Sequence, residues 1–187
     1  KNFQPFSLFI WLGLINETLS LILIYSKGSN TVNSNIYVLL ECILILYQFY
    51  SWNSISRTLC VYLIGGAVLV WIADNLALHV ISGNNSIFRI FYSFIIIFCS
   101  INQVNKLVIN ERFNLIRNPV FLICIAFLLY YACKTFVEVF NAFNLGLSHS
   151  CNRNIFTILY LADFISNIIY AIAIVCIPKK QPFTMPY

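Results

Sequence analysis

VFLICIAFLLYYACKTFVEVFNAF, residues Val120–Phe143, is the stretch that decides the fold of this chain. A helix that crosses a bilayer needs about 20 mainly apolar residues. This stretch meets that requirement and yet contains Lys134 and Glu138, which lie one helical turn apart and share a helix face. Charges at membrane depth are costly and normally point into protein or water. The stretch therefore predicts a transmembrane helix that packs with others around a polar interior.

The whole chain is as apolar as this stretch suggests. Of its 187 residues, 60% are hydrophobic and only 9% are charged, whereas an ordinary soluble domain has about 25% charged residues. We therefore predict an all-α, polytopic transmembrane bundle of about six helices in one domain over residues 1–187, with the lipid bilayer as its first partner. The predicted spans are 4–25, 36–52, 59–81, 87–109, 120–143 and 155–177. Pro119 is expected to open the fifth, since the first position of a helix needs no N–H donor.

The basic residues predict the orientation. With a cytoplasmic N-terminus, seven of them fall on the cytoplasmic side, namely Lys1, Arg57, Lys106, Arg112, Arg117, Lys179 and Lys180. Three fall outside, namely Lys27, Arg89 and Arg153. This bias predicts that both termini are cytoplasmic (N-in/C-in). The net charge of +5 reflects the same bias, so no nucleic-acid partner is expected. The basic residues of the Lys106–Arg117 loop either act only as a topology signal or also bind a membrane or cytoplasmic protein partner.

Five of the six acidic residues fall inside predicted spans. They are Glu17, Glu41, Asp74, Glu138 and Asp163. At about 1.5 Å per residue, each lies roughly 8–12 Å below the outer end of its predicted helix. Lys134 and His79 lie near that level, and Arg89 lies at its rim. We therefore predict an outward-facing intramembrane layer to which five helices contribute one carboxylate each.

Charge balance suggests what this layer does. Close carboxylates cannot all remain ionised without a counter-charge, so the layer should share protons or hold a cation or the cationic group of a small polar ligand. The predicted binding residues are Glu17, Glu41, Asp74, His79, Lys134, Glu138 and Asp163. Lys134 is expected to pair with Glu138, Asp74 or Asp163. The alternative is that each acid only makes a structural hydrogen bond between helices.

Other features predict no catalytic, cofactor or metal site. The chain has no CxxC, HExxH, GxSxG, Walker or dinucleotide motif. Most of its seven cysteines fall in or next to spans, where cysteine acts as a small apolar residue. His149 and Cys151 share an outer loop, but two ligands in one loop are a weak metal signal. Gly65 and Gly66 are expected to let another helix approach closely.

Two short strings carry a resemblance. Asn118-Pro119-Val120-Phe121 with Tyr130-Tyr131, and Asn167-Ile168-Ile169-Tyr170-Ala171-Ile172, resemble small, uncharacterised multi-spanning bacterial inner-membrane proteins. The resemblance covers mainly the last two helices. It implies a bacterial inner-membrane location and a role near envelope sensing, and it brings no catalytic residues.

Three classes of function remain. The first is a sensory or ligand- or partner-binding membrane module, and the alternative is a proton- or cation-coupled channel or transporter subunit. A membrane enzyme ranks last, because no nucleophile and base are paired. A conduction path needs polar residues that continue to the cytoplasm, and only Asn102, Gln103 and Asn105 are dense enough to suggest one. We therefore predict binding without conduction.

Overall fold

The computed structural model describes residues 2–78, 81–83, 85–110, 115–143 and 149–178, and these residues are almost entirely helical. Six long helices are present in the described residues: α1 (Gln4–Lys27), α2 (Thr31–Ser51), α3 (Arg57–Ile72), α4 (Ser86–Asn110), α5 (Pro119–Phe143) and α6 (His149–Val175). Each is long and apolar enough to cross a bilayer, α3 together with the turn that follows it. The prediction of an all-α fold with six helices long and apolar enough to span a membrane is confirmed, and it fits a multi-pass integral membrane protein.

Local sequence explains where several helices begin and end. α1 ends at Gly28, whose φ of +73° is left-handed, and whose N–H donates to the Ile24 carbonyl at 3.0 Å. Glycine is the usual residue at such a position because it has no Cβ. α5 begins at Pro119 as predicted, and the side chain of Asn118 accepts a hydrogen bond from the N–H of Val120 at 2.9 Å. This contact satisfies one of the free donors at the start of the helix.

α5 lies at the centre of the bundle. Half of its span is buried inside the protein, and it packs mainly against α4 and α6. Its fully buried Val120, Ile123, Phe127 and Tyr131 recur every three or four residues, which places them on one helix face. α1 is the most peripheral helix and packs chiefly on α2. The α1–α2 pair and the α5–α6 pair lie next to each other, and residues of all four helices line the cavity described below.

Two polar contacts hold α1 against α2 at different levels. Near the start of α1, the Phe6 N–H donates to the Gln48 side-chain oxygen at 2.6 Å. Further along, the Asn33 side-chain amide donates to the Asn16 side-chain oxygen at 2.9 Å. The part of α1 between these contacts, around Gly13, borders the cavity described below.

The third predicted span, 59–81, is not one regular helix. α3 ends at Ile72 and continues as a π-helical turn over Ala73–Leu78. π-Helical turns are rare and occur often at functional sites. Here the turn carries Asp74 and Asn75, both of which are buried and bond to the start of α4. Hydropathy could not indicate this change, because the residues around the turn are apolar enough to continue a span.

Two helices also begin earlier than predicted. The sequence suggested that α2 starts at residue 36 after a polar turn, but the helix starts at Thr31. The polar residues of this first turn have partners inside the protein, since the Asn35 side chain donates to the Ile81 carbonyl at 2.8 Å. α6 starts at His149 instead of residue 155. At the start of α2, hydropathy misses the first turn because it scores a satisfied amide like a solvated one.

The expected close approach at Gly65 and Gly66 is wrong within this chain. No other part of the described structure comes within 4 Å of the position that a Cβ would occupy on either glycine. Ala67, the third small residue in this run and part of the same predicted contact surface, is buried.

Candidate ligand-binding cavity

A cavity of about 460 Å³ lies between α1, α2, α5 and α6. Three of the predicted carboxylates line it, namely Glu17 of α1, Glu41 of α2 and Asp163 of α6. Four tyrosines also line it: Tyr37, Tyr130, Tyr160 and Tyr170. The cavity therefore combines negative charge with aromatic rings at membrane depth.

Glu41 is the most buried of the three carboxylates, with 2% of its surface exposed. Its Oε2 accepts a hydrogen bond from the Tyr92 hydroxyl at 2.6 Å and lies 3.3 Å from the Lys134 Nζ. Lys134 Nζ also donates to the Tyr92 hydroxyl, and the Tyr37 hydroxyl lies 3.4 Å from Glu41 Oε1. The expectation that Lys134 pairs with Glu138, Asp74 or Asp163 is wrong, because its ion-pair partner is Glu41.

The Lys134 ammonium is also surrounded by aromatic rings. Its Nζ lies 5.1 Å from the ring centre of Tyr92, 5.2 Å from that of Tyr130 and 5.6 Å from that of Tyr131. A cation within about 6 Å of a ring centre is attracted by the negative face of the ring. The protein thus holds its own buried ammonium with one carboxylate, one hydroxyl and three rings.

The other two cavity carboxylates are less compensated. Glu17 and Asp163 are both exposed at the edge of the cavity. Within the described ranges, neither has a lysine or arginine within ion-pair distance. One turn after Asp163, the amide of Asn167 also lines the cavity. The described lining of the cavity therefore contains three carboxylates and no lysine or arginine, and Lys134 reaches only Glu41, from outside the lining.

Glu138 belongs to a second polar group, which we call the Arg89 cluster (Ser34, Asn35, Ser86, Arg89 and Glu138). Arg89 Nη1 lies 3.6 Å from Glu138 Oε1, and Ser86 Oγ donates to Glu138 Oε2 at 2.7 Å. Arg89 Nη2 donates to Ser34 Oγ at 2.8 Å and to Asn35 Oδ1 at 3.0 Å. The cluster connects α2, α4 and α5 through one guanidinium group.

Asp74 lies at the start of α4. Its Oδ2 accepts a hydrogen bond from the Phe88 N–H at 2.8 Å. Free N–H groups and the positive end of the helix dipole make this a favourable position for a carboxylate. Asp74 therefore stabilises the junction of the π-helical turn with α4.

The structure does not keep the five acids of the predicted layer together. At about 1.5 Å per residue, Glu17 and Glu41 lie about 15 Å from the helix ends of α1 and α2 that are outside in the N-in orientation. Asp163 lies about 21 Å from the outer end of α6, and Glu138 about 8 Å from the outer end of α5. Neither Glu138 nor Asp74 lines the cavity, and His79 lies outside the described residues. The helices extend further than predicted, so the common depth of 8–12 Å does not hold.

The tyrosines are the site residues that sequence reasoning missed. A signal existed for two of them, since Tyr37 precedes Glu41 by four residues, as Tyr130 precedes Lys134. Residues at this spacing share a helix face. No such signal exists for Tyr92, which reaches Glu41 from another helix.

Aromatic rings pack against one another beside the cavity. Phe9, Phe127 and Tyr170 meet edge to face, with ring centres 5.8–6.0 Å apart. All three are buried, and Phe9 and Tyr170 also line the cavity.

The three polar residues of α4 that suggested a pathway, Asn102, Gln103 and Asn105, do not line the cavity. The Asn102 side chain donates instead to the Ser54 carbonyl at 3.3 Å, and the neighbouring Lys106 Nζ donates to the same oxygen at 2.8 Å. These two contacts connect α4 to the loop between α2 and α3.

The described part of the chain contains no group of three or more His, Cys, Asp or Glu side chains placed to hold a metal ion. A helical bundle alone does not specify a function, so the argument rests on the cavity and its contacts. Comparison with protein-family models, with curated proteins and with solved structures finds no match to this chain.

Proposed function

We propose that this protein is a sensory or ligand-binding membrane module whose cavity takes a positively charged group. The observation that carries the proposal is the meeting of Glu17, Glu41 and Asp163 at one cavity whose described lining includes no lysine or arginine. Lys134 compensates Glu41 from outside this lining. Carboxylates so arranged repel one another, and a bound cation relieves that repulsion. Because two of the three are exposed at the edge, a ligand can reach them without unfolding the bundle.

The alternative of a proton- or cation-coupled channel or transporter subunit has less support. Conduction needs a polar path that continues across the membrane. Among the described residues, no residue of α4 lines the cavity, and Asn102 and Lys106 of α4 are bonded to a loop. A cavity that these polar residues do not extend fits binding better than conduction.

The proposal includes an orientation and a location. The excess of basic residues on one side supports N-in/C-in, and the resemblance of the last two helices supports a bacterial inner membrane. In this orientation the Lys106–Arg117 face is cytoplasmic and is the proposed surface for a membrane or cytoplasmic protein partner. Ligand binding at the cavity would then be passed to that partner through α4 and α5.

Cysteine labelling tests the orientation. In a cysteine-free background, Ser29→Cys between α1 and α2 should react with a membrane-impermeant thiol reagent added outside intact cells. Ile116→Cys, at an exposed position between α4 and α5, should react only after the membrane is permeabilised. Both sites lie outside the long helices, so differences in reactivity report sidedness. The reverse pattern would show that the protein is inverted.

Neutralising the two exposed carboxylates tests the binding proposal. Glu17→Gln combined with Asp163→Asn should leave the bundle folded, because amides of similar shape replace groups that repel each other. For the wild-type protein in detergent, at least one of the three salts sodium, magnesium and tetramethylammonium chloride, compared at matched ionic strength, should raise the unfolding temperature. A ligand at 100 times its Kd adds about 2.7 kcal/mol to the free energy of unfolding. The double variant should lose this shift.

Glu111→Gln is the matched control for this experiment. It removes the one acid that the sequence places outside the spans, and it should keep the wild-type response. An equal shift in the double variant, or no shift of the wild-type protein with any of the three cations, would contradict the proposal.

A further inference from the structure

We propose that the ligand of the cavity is an organic ammonium ion on an aliphatic chain, which enters from the lipid between α1 and α6. This inference rests on the proposed function and specifies the class of ligand. The first argument is size. At about 460 Å³ the cavity is within the range of small-molecule sites, about 300–1,000 Å³. This volume is far larger than an inorganic cation needs.

The carboxylates are arranged poorly for a metal ion. Calcium and magnesium are bound by about six to eight oxygen ligands that converge on one point. Glu17, Glu41 and Asp163 line the same cavity from three different helices. They do not form a metal-binding group in the described structure. Carboxylates spread over a cavity suit a larger cation, whose charge is distributed over several atoms.

The aromatic residues favour an ammonium group. Tyr37, Tyr130, Tyr160 and Tyr170 line the cavity together with the carboxylates. Rings of this kind attract ammonium ions strongly when water is excluded, and aromatic cages are the usual sites for quaternary ammonium groups.

Lys134 shows that this bundle already holds an ammonium in such surroundings. Its Nζ is bound by Glu41 and lies over three tyrosine rings. Tyr130 belongs to both sites, since its ring faces Lys134 at 5.2 Å and also lines the cavity. A ligand ammonium in the cavity would meet the same types of group, carboxylates and tyrosine rings, on the other side of Tyr130.

The edge of the cavity faces the lipid. Leu14 of α1 is 57% exposed and Tyr160 of α6 is 72% exposed, and both line the cavity. α1 packs chiefly on α2 and α6 chiefly on α5, so the opening lies between two membrane-spanning helices. An amphiphile can keep its chain among the acyl chains while its ammonium reaches Glu17 and Asp163. A phospholipid headgroup fits less well, because its phosphate would face the same carboxylates.

Ligand-dependent unfolding in a non-ionic detergent tests the inference. Dodecyltrimethylammonium has both the charge and the chain. Tetramethylammonium has only the charge, and dodecanol has only the chain. We expect dodecyltrimethylammonium to raise the unfolding temperature at concentrations at least about ten-fold lower than tetramethylammonium. Dodecanol, sodium and magnesium should give no saturable shift.

Two variants locate the binding. Glu17→Gln with Asp163→Asn should abolish the shift produced by dodecyltrimethylammonium. Tyr160→Leu should weaken it by about two- to five-fold, the range expected for one exposed ring. Tyr62→Leu is the matched control, because Tyr62 is also 72% exposed but lies on α3, away from the cavity. It should behave as the wild-type protein does.

The outcomes separate this inference from the proposed function. If inorganic cations alone shift stability, and the shift requires Glu17 and Asp163, the organic ligand is wrong and the binding function stands. If tetramethylammonium acts at the same concentration as dodecyltrimethylammonium, access from the lipid is wrong. An equal effect of dodecyltrimethylammonium on the wild-type protein and the double variant would show binding elsewhere and overturn the inference. If no cation of either class acts, both proposals fail.

Discussion

Lys134→Met is expected to lower the free energy of unfolding by about 3–5 kcal/mol, the cost of removing one partner from a buried ion pair. Lys134 is 5% exposed and Glu41 is 2% exposed, so little solvent can reach the carboxylate that loses its partner. The substitution keeps the length and apolar character of the chain. Its effect therefore comes from the lost ammonium, through its contacts with Glu41 and the Tyr92 hydroxyl. Thermal unfolding in detergent and the yield of monodisperse protein measure the effect.

A second substitution identifies the partner. Lys134→Met with Glu41→Gln should be clearly more stable than Lys134→Met alone, since replacing both members of a buried pair can be nearly neutral. Lys134→Met with Glu138→Gln should show no such rescue. Lys27→Met, in the exposed last turn of α1, is the control and should change stability by less than about 1 kcal/mol. Rescue by the change at Glu138 and not at Glu41 would show that the pairing described here is wrong.

Arg89→Met is expected to have the next largest effect, a loss of roughly 2–4 kcal/mol. Its guanidinium contacts Glu138 with one nitrogen and both Ser34 and Asn35 with another. Arg89→Lys should recover little of this loss, because an ammonium is a single point and cannot reproduce the planar fork of arginine. Unfolding temperatures of the two variants in detergent provide the measurement.

Arg57 offers the matched controls. It is exposed at the start of α3, and the described residues include no acid within ion-pair distance of it. Arg57→Met and Arg57→Lys should both lie close to the wild-type protein. If Arg89→Lys were as stable as the wild-type protein, simultaneous contact with α2 and α5 would not be needed for stability.

Sequence reasoning located the spans because they depend on local composition. A run of about 20 apolar residues is sufficient to identify a transmembrane helix, and Pro119 identified the start of α5 correctly. Errors occurred where polar side chains are satisfied inside the protein. At the start of α2 and in the turn after α3, Asn35 and Asp74 bond to distant backbone, and no local pattern reveals this.

The candidate site was only partly predictable for the same reason. All of its carboxylates were identified, because an acid within an apolar span is conspicuous. The sequence did not predict which carboxylates would meet at one cavity, since this depends on which helices are neighbours. The i, i+4 rule suggested Glu138 as the partner of Lys134, whereas the actual partner lies on α2. Tyr92 was missed because a tyrosine in a span looks like any other large apolar residue.

The pairing of Glu41 with Lys134 also bears on how the chain is inserted into the membrane. Lys134 follows Glu41 by 93 residues, so at roughly 5–20 residues per second it is synthesised about 5–20 s later. Of the partners described, Tyr37 emerges first, four residues before Glu41, and Tyr92 comes 51 residues after it. During biosynthesis Glu41 therefore depends on tyrosine hydroxyls from α2 and then α4, and its ion pair forms only when the ribosome has delivered α5.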